Sequence, residues 1–113
     1  MPLRIGVMGG AFDPIHRGHV HVADVVARAV QLDQVIFVPV GVPWMKPAPI
    51  ADAADRLAMV RLAVDGARRF RASEVDIERS GPTYAEDTLT DLREEFARAH
   101  PGDRAAWSFI VGA

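Results

Sequence analysis

The sequence contains no cysteine, so it can form neither a disulfide framework nor a thiolate metal site. It has no apolar run near the roughly 18 residues that a membrane-spanning helix needs. The net charge is only −2, which argues against a general nucleic-acid binder with a basic surface. The N-terminus leads directly into a strand-like segment and leaves no room for a signal peptide. We therefore expect a cytoplasmic protein that binds neither nucleic acid nor membranes.

The composition is that of an ordinary globular protein. Half of the residues are hydrophobic and a quarter are charged, which is enough apolar material for one modest core. A length of 113 residues suits a single domain, and we assign residues 1–113 to it. The sequence leaves the oligomeric state open, including a homo-oligomer.

Strand and helix patterns alternate along the chain. Short apolar runs predict strands at residues 5–8, 35–38, within 70–77 and at 107–111. Helical periodicity and capping signals predict helices at residues 18–30, 52–68 and from about 83 to 100. This alternation is typical of an α/β fold: a Rossmann-like parallel sheet with helices on both faces, which here stops after the fourth strand.

Three loops follow strands and should meet at one edge of that sheet. They span residues 9–19, 39–49 and 78–84. Right-handed crossovers place all post-strand loops at the carboxyl edge, where ligands of such sheets bind. We therefore expect the chemistry of this protein at these loops.

The first loop carries the most informative residues. Gly9 and Gly10 allow a tight turn and a close approach to a ligand, and Gly18 lies where a helix begins. A helix N-terminus favours phosphate because its N–H groups are free and its dipole is positive there. His16 and His19 are three residues apart at that end and can face one phosphate group, where they would stabilise developing charge.

Plainer readings of the same residues exist. A glycine pair after a strand is usually only a turn. Two histidines at this spacing could hold a metal, but a usual zinc site needs a third ligand. The eleven residues together, in a strand–turn–helix context, favour phosphate binding.

The string Gly9-Gly10-Ala11-Phe12-Asp13-Pro14-Ile15-His16-Arg17-Gly18-His19 resembles the GG-x-FDP-x-H-x-GH signature of the nucleotidylyltransferase superfamily. The resemblance implies transfer of a nucleotidyl group from a nucleoside triphosphate with release of pyrophosphate. It assigns His16 and His19 as catalytic residues that contact the triphosphate. It assigns ATP binding to Gly9, Gly10, Ala11, Phe12, His16, Gly18 and His19. Ala11 departs from the threonine or serine that the family often has, which removes a hydroxyl worth about 1 kcal/mol.

The third loop narrows the resemblance. Residues 83–89 are similar to the T-Y-x-x-D-T-L segment of nicotinate mononucleotide adenylyltransferases, and His16 argues against phosphopantetheine adenylyltransferases. The resemblance implies that the backbone at Thr83 and Tyr84 binds the pyridine carboxylate. A helix N-terminus there suits a carboxylate better than a neutral carboxamide. Thr83 and Glu86 alone would indicate only a capping box.

The second loop offers two further residues. The family has a basic residue here that contacts phosphates, so the resemblance assigns Lys46 to ATP binding; alone, an exposed lysine is usually just solvated. Trp44 either stacks on the substrate ring or covers the loop. We expect no protein-held metal, and Mg²⁺ carried by ATP. The expected partners are ATP and nicotinate mononucleotide.

The resemblance covers the whole chain, but the chain covers only part of the family. The enzymes carry a second signature, close to I-S-S-T-x-x-R, that is absent here. We therefore expect a half-open site and weak or no activity from these residues alone. Two alternatives stay open: a truncated, non-catalytic nucleotide-binding module, and an adenylyltransferase for another phosphate acceptor such as nicotinamide mononucleotide.

Overall fold

The computed structural model describes residues 1–41, 51–79 and 84–110. These residues form four strands and four helices. In chain order they are β1 (Leu3–Gly10), α1 (Arg17–Ala29), β2 (Gln34–Pro39), α2 (Ala53–Val64), β3 (Phe70–Ala72), α3 (Val75–Glu78), α4 (Ala85–Ala99) and β4 (Ala105–Phe109).

The strands form one parallel sheet in the order β3-β2-β1-β4. The chain builds outward from β1 to β2 and β3, and then returns to place β4 on the other side of β1. The strand order therefore reverses at β1. In open sheets of this kind ligands bind beside the carboxyl end of the strand where the order reverses. The residues that follow β1 occupy that position.

Side chains that alternate along the strands fill two cores. On one face, α1 and α2 cover Met8, Val35 and Phe37. On the other face, α4 and α3 cover the intervening residues, such as Val7 and Ile36. Strands buried on both faces read as continuous apolar runs, as β1 and β2 do. The predicted α/β class, parallel pairing and two helical layers are confirmed.

Two element boundaries differ from the prediction. The third strand is only Phe70–Ala72, and Val75–Glu78 forms a short helix instead of continuing the strand. The glycines at the end of β1 were interpreted as a turn, but the strand runs through both of them. The backbone hydrogen bond from Val40 to the Gly10 carbonyl continues the pairing to that point.

The remaining differences are smaller. The second helix begins at Ala53, one residue after the predicted start, and ends at Val64 rather than residue 68. It ends because Asp65 leaves the helical conformation with a ψ of 132°. Asp65 and Gly66, whose φ is 78°, form a turn in which the Ala67 N–H donates to the Val64 carbonyl at 3.0 Å. The fourth strand is Ala105–Phe109, shifted two residues toward the N-terminus from the prediction. Within the described ranges, none of the helices has the length and apolar character needed to cross a membrane.

Candidate active site

The loop after β1 is organised around Phe12. Its φ of 48° lies in the left-handed region, which is uncommon for a residue other than glycine. Its side chain is only 3% exposed. The ring centroid lies 6.0 Å from that of Phe37 in the core and 5.1 Å from the His19 ring, edge to face. The sharp change of direction predicted for the glycine pair therefore occurs at Phe12, which anchors the loop in the core.

His16 and His19 meet at the beginning of α1. His16 is the N-cap, and its Nδ1 atom accepts the Gly18 backbone N–H at 3.0 Å. The backbone N–H of His16 in turn donates to Nδ1 of His19 at 3.0 Å. This is a capping box in which two imidazoles take the places usually held by Ser or Thr and Glu. The ring centroids are 3.8 Å apart, so the expected pairing of the two histidines is present.

Gly18 makes room for this arrangement. A Cβ atom at this position would lie 2.8 Å from Cε1 and 2.9 Å from Nδ1 of His16. Contacts this short do not occur without displacement of the ring. The glycine is therefore needed because the His16 ring folds over the first turn of the helix, rather than for an unusual backbone angle.

The capping bonds determine how the histidines can act. A neutral imidazole nitrogen that accepts a hydrogen bond carries no proton, so both rings must carry theirs on Nε2. Partial burial, and then the neighbouring His16, lower the pKa of His19 below 6.5 and keep it neutral at pH 7. Each ring thus presents one Nε2–H donor at the N-terminus of α1, which is the positive end of the helix dipole. Such preorganised donors suit a phosphate that gains charge during a reaction.

The other signature residues lie beside this pair. Gly9 is exposed near the carboxyl end of β1, and a Cβ atom there would meet only the Val38 carbonyl, at 3.9 Å. Gly10 lies above the Phe12 ring, which a Cβ atom would meet at 3.6 Å. Ala11 turns its carbonyl oxygen inward, where it accepts a hydrogen bond at 2.9 Å. Of these three residues Gly9 is exposed, while Gly10 and Ala11 are half-buried.

The Asp13 carboxylate is more than a local turn former. Its Oδ1 accepts the backbone N–H of Ala51, 38 residues away, at 3.0 Å. The signature loop is thereby tied to the residue that precedes α2.

Arg56 is a residue of this region that sequence reasoning missed. It is 1% exposed, and its guanidinium donates to the carbonyl oxygens of Ala11, Val40 and Ala51 at 2.7 to 3.0 Å. A signal was present in the sequence: Arg56 precedes Val60 and Val64 at four-residue spacing, on the buried face of α2.

The third loop ends at Tyr84, which is the N-cap of α4 and is 45% exposed. Among the residues that the structure describes, no side-chain hydrogen bond caps this helix. The predicted box is displaced because Glu86 is the second helical residue rather than the third. Through Leu92 and Phe96, α4 packs on the opposite face of the sheet from α1. Three predicted site residues, Trp44, Lys46 and Thr83, lie outside the described residues.

A buried polar cluster joins the two sides of that loop. The Thr88 hydroxyl donates to Oδ1 of Asp76 at 2.7 Å, and Asp76 is only 2% exposed. Arg79, just before the loop, pairs with Asp76 at 3.0 Å and with Asp91 on α4. Burial raises the pKa of Asp76, while Thr88 and Arg79 oppose that shift. The cluster explains the second threonine of the T-Y-x-x-D-T-L segment as an internal brace.

The described residues contain no group of three or more His, Asp or Glu side chains placed to hold a metal ion.

Residues 7–113 match the family model described as cytidylyltransferase-like. The chain belongs to this family. The match begins within β1 and includes the paired histidines. The site described above therefore lies within the part of the chain that matches the family.

Curated relatives make the resemblance more specific. The chain is 53% identical over 111 residues to a probable nicotinate-nucleotide adenylyltransferase of Acidothermus cellulolyticus, covering 97% of this chain and 53% of that protein. It is 50% identical over 92 residues to a protein of the same description from Dehalococcoides mccartyi, covering 80% and 45%. The resemblance inferred from the two loop motifs is thus confirmed. The chain spans about half the length of the curated relatives it matches.

Solved structures confirm the fold. The chain is similar to Plasmodium falciparum nicotinic acid mononucleotide adenylyltransferase complexed with NaAD, with a TM-score of 0.69 and 19% identity. That similarity covers 95% of this chain and 49% of the other. The same enzyme complexed with APC gives a TM-score of 0.64 and 18% identity, covering 95% and 48%.

Proposed function

We propose that this chain supplies the nucleotide-binding part of an enzyme that transfers AMP from ATP to nicotinate mononucleotide. The observation that carries the proposal is the histidine capping box: two Nε2–H donors at the N-terminus of α1, where the strand order reverses. The names of relatives about 50% identical support the same reaction. The products are nicotinate adenine dinucleotide and pyrophosphate.

The reaction needs no general base. A phosphate oxygen of nicotinate mononucleotide is already ionised at neutral pH and attacks the α-phosphorus of ATP. The bond from that phosphorus to the bridging oxygen breaks, and pyrophosphate leaves with the electron pair. His16 and His19 donate from Nε2 to the triphosphate oxygens as charge develops there. Rate enhancement then comes from positioning and electrostatic stabilisation, as in other phosphoryl-type transfers.

The acceptor lies on the other side of the triphosphate in this proposal. Tyr84 is the N-cap of α4, no side chain of the described residues caps this helix, and its dipole is positive at that end. Such a helix end binds a carboxylate in preference to an uncharged amide. We therefore propose that nicotinate mononucleotide is preferred over nicotinamide mononucleotide, with the backbone at Thr83 and Tyr84 contacting the pyridine carboxylate.

The triphosphate has further ligands in the proposal. Lys46 contributes a mobile positive charge, and Gly9, Gly10, Ala11, Phe12 and Gly18 line the backbone side of the ATP site. Mg²⁺ arrives with ATP and keeps mainly phosphate and water ligands, which is its usual preference. A chain without cysteine suits a reducing compartment, and we place the reaction in the cytoplasm.

The test is pyrophosphate release from Mg-ATP with nicotinate or nicotinamide mononucleotide as acceptor. From these residues alone we expect at most weak release, with a clear preference for nicotinate mononucleotide. Equal release with both acceptors would contradict the assignment of the pyridine site. If neither acceptor supports release, titration calorimetry with Mg-ATP decides the matter: binding without release indicates a non-catalytic nucleotide-binding module, and no binding overturns the proposal.

A further inference from the structure

Phe12 holds an unfavourable backbone conformation that something must stabilise. Its φ of 48° is costly for a bulky residue and persists only when the surroundings enforce it. In return, the Phe12 ring is buried and lies edge to face against His19 at 5.1 Å. The backbone conformation of Phe12 thus sets the position of the ring that packs against His19.

The residues on both sides of Phe12 are held by the same short segment of chain. The carbonyl of Ala11 accepts from Nη1 of Arg56 at 2.9 Å. The Oδ1 atom of Asp13 accepts the N–H of Ala51 at 3.0 Å. The Ala51 carbonyl accepts from Nε of Arg56 at 3.0 Å, which closes the connection.

Arg56 is unusual as a buried cation. Within the described ranges it has no carboxylate at ion-pair distance, and carbonyl oxygens satisfy its guanidinium instead. Nη1 also donates to the Val40 carbonyl at 2.7 Å, beyond the end of β2. A guanidinium presents several donors in a fixed plane, so it can fix three carbonyls relative to one another, which an ammonium group cannot. A buried charge without a counter-ion is costly, so stability alone is a weak reason to keep it.

We propose that Arg56 is a positioning residue for His19, which it places by holding the Ala11 carbonyl and thereby the strained Phe12 whose ring packs against the imidazole. The inference rests on the proposed function only in that it takes His19 to be a triphosphate ligand. Arg56 itself contacts no substrate. It joins the signature loop to both ends of residues 41–51, the segment that carries Lys46.

The test compares Arg56→Met and Arg56→Lys with Arg61→Met by NMR titration of the His19 imidazole. Arg61 lies on the same helix, is exposed and pairs with Glu74, so it is a matched control. We expect both Arg56 variants to move the His19 titration midpoint up toward 6.5, because its burial depends on Phe12. Arg61→Met should leave the midpoint where it is. Arg56→Lys keeps the positive charge but not the planar set of donors. If lysine does not restore the His19 midpoint, the result supports a positioning role.

An Arg56→Met protein that melts at a lower temperature with an unchanged His19 midpoint would show a merely structural role and overturn the inference. If Arg56→Met does not fold, Arg56→Lys and a measurement on the unaltered protein decide. The guanidinium protons of Arg56 should exchange with solvent at least tenfold more slowly than those of Arg61; equal rates overturn the inference. None of these readouts uses ATP, so a failure of the proposed function would leave this test intact.

Discussion

The backbone N–H of His16 donates to the Nδ1 atom of His19 at 3.0 Å, so the two histidines form one unit rather than two independent ligands. The Nδ1 atoms of both rings serve the helix, and both Nε2 atoms remain for a ligand. One nitrogen of each imidazole caps the helix and the other can contact a ligand. Mutations can therefore separate the structural contribution of each histidine from its catalytic one.

The first prediction concerns the tautomers. At pH 7.5 without ligand, His16 and His19 should both carry the proton on Nε2 when neutral, because their Nδ1 atoms accept backbone N–H groups. Long-range proton–nitrogen NMR correlations of the imidazoles distinguish the two tautomers directly. Exposed His21 on the same helix, in the same spectra, provides an internal comparison. A protonated Nδ1 on either His16 or His19 would contradict the capping geometry.

The second prediction separates capping from catalysis at His16. In His16→Asn the amide oxygen can replace Nδ1 as the N-cap acceptor, but the shorter side chain places no donor at the position of Nε2–H. Pyrophosphate release should fall on the order of 100-fold, the effect of losing one transition-state donor, with little change in the melting temperature. His16→Ala should show the same loss of rate and a further loss of about 1 kcal/mol of unfolding free energy. His21→Asn is the control, and normal release by His16→Asn would refute the assigned role.

The third prediction uses the space beside His16. Gly18→Ala places a Cβ atom 2.8 Å from Cε1 of His16, so the ring must move and its capping bond must lengthen. We expect a drop of tenfold or more in pyrophosphate release, with a stability change of less than about 1 kcal/mol because alanine favours the helix. Gly66→Ala should lower the stability and leave pyrophosphate release unchanged. Its φ of 78° strains any side chain, while the histidines lie elsewhere.

The fourth prediction concerns pH and Asp76. Burial raises the folded-state pKa of this carboxyl above 3.8, so the ionised form is less favourable in the folded than in the unfolded state. Its contribution to stability is therefore complete below 3.8 and is lost as pH rises through the raised value. The unfolding free energy of the unaltered protein minus that of Asp76→Asn should fall as pH rises across this window.

Urea unfolding over a pH series from acid to neutrality measures that difference. Thr88→Ser is the matched control, since serine keeps the hydroxyl that donates to Asp76 and should preserve the pH dependence. A difference that grows with pH would mean that the Arg79 ion pair outweighs burial, and that the sign of the prediction is wrong.

Much of the fold could be read from the sequence because strands buried on both faces leave uninterrupted apolar runs. Residues 35–38 of β2 are such a run and were placed correctly. The third strand was overestimated because Val75 and Ile77 are apolar, although Val75 belongs to a helical turn that packs on the core rather than to the sheet. A short run of this kind does not distinguish a strand from one turn of helix.

The site was predictable to the extent that it is local. His16, Gly18 and His19 lie within four residues, so their spacing already indicates a shared helix end. Arg56 and Asp76 act on residues far away in the chain, Arg56 through backbone carbonyls, and no spacing rule reveals such partners. The positive φ at Phe12 was hidden for a related reason: the two preceding glycines were the obvious place for a turn.

Arg56 recognises only carbonyl oxygens, and every residue type supplies one. The loop geometry that Arg56 maintains therefore does not depend on which side chains stand at positions 11, 40 and 51. Under the proposed ATP assignment, replacing Ala11 by serine or threonine would add a hydroxyl near the nucleotide and leave the carbonyl that Arg56 holds in place. Position 11 is then a place where nucleotide affinity can be changed independently of the loop that supports it.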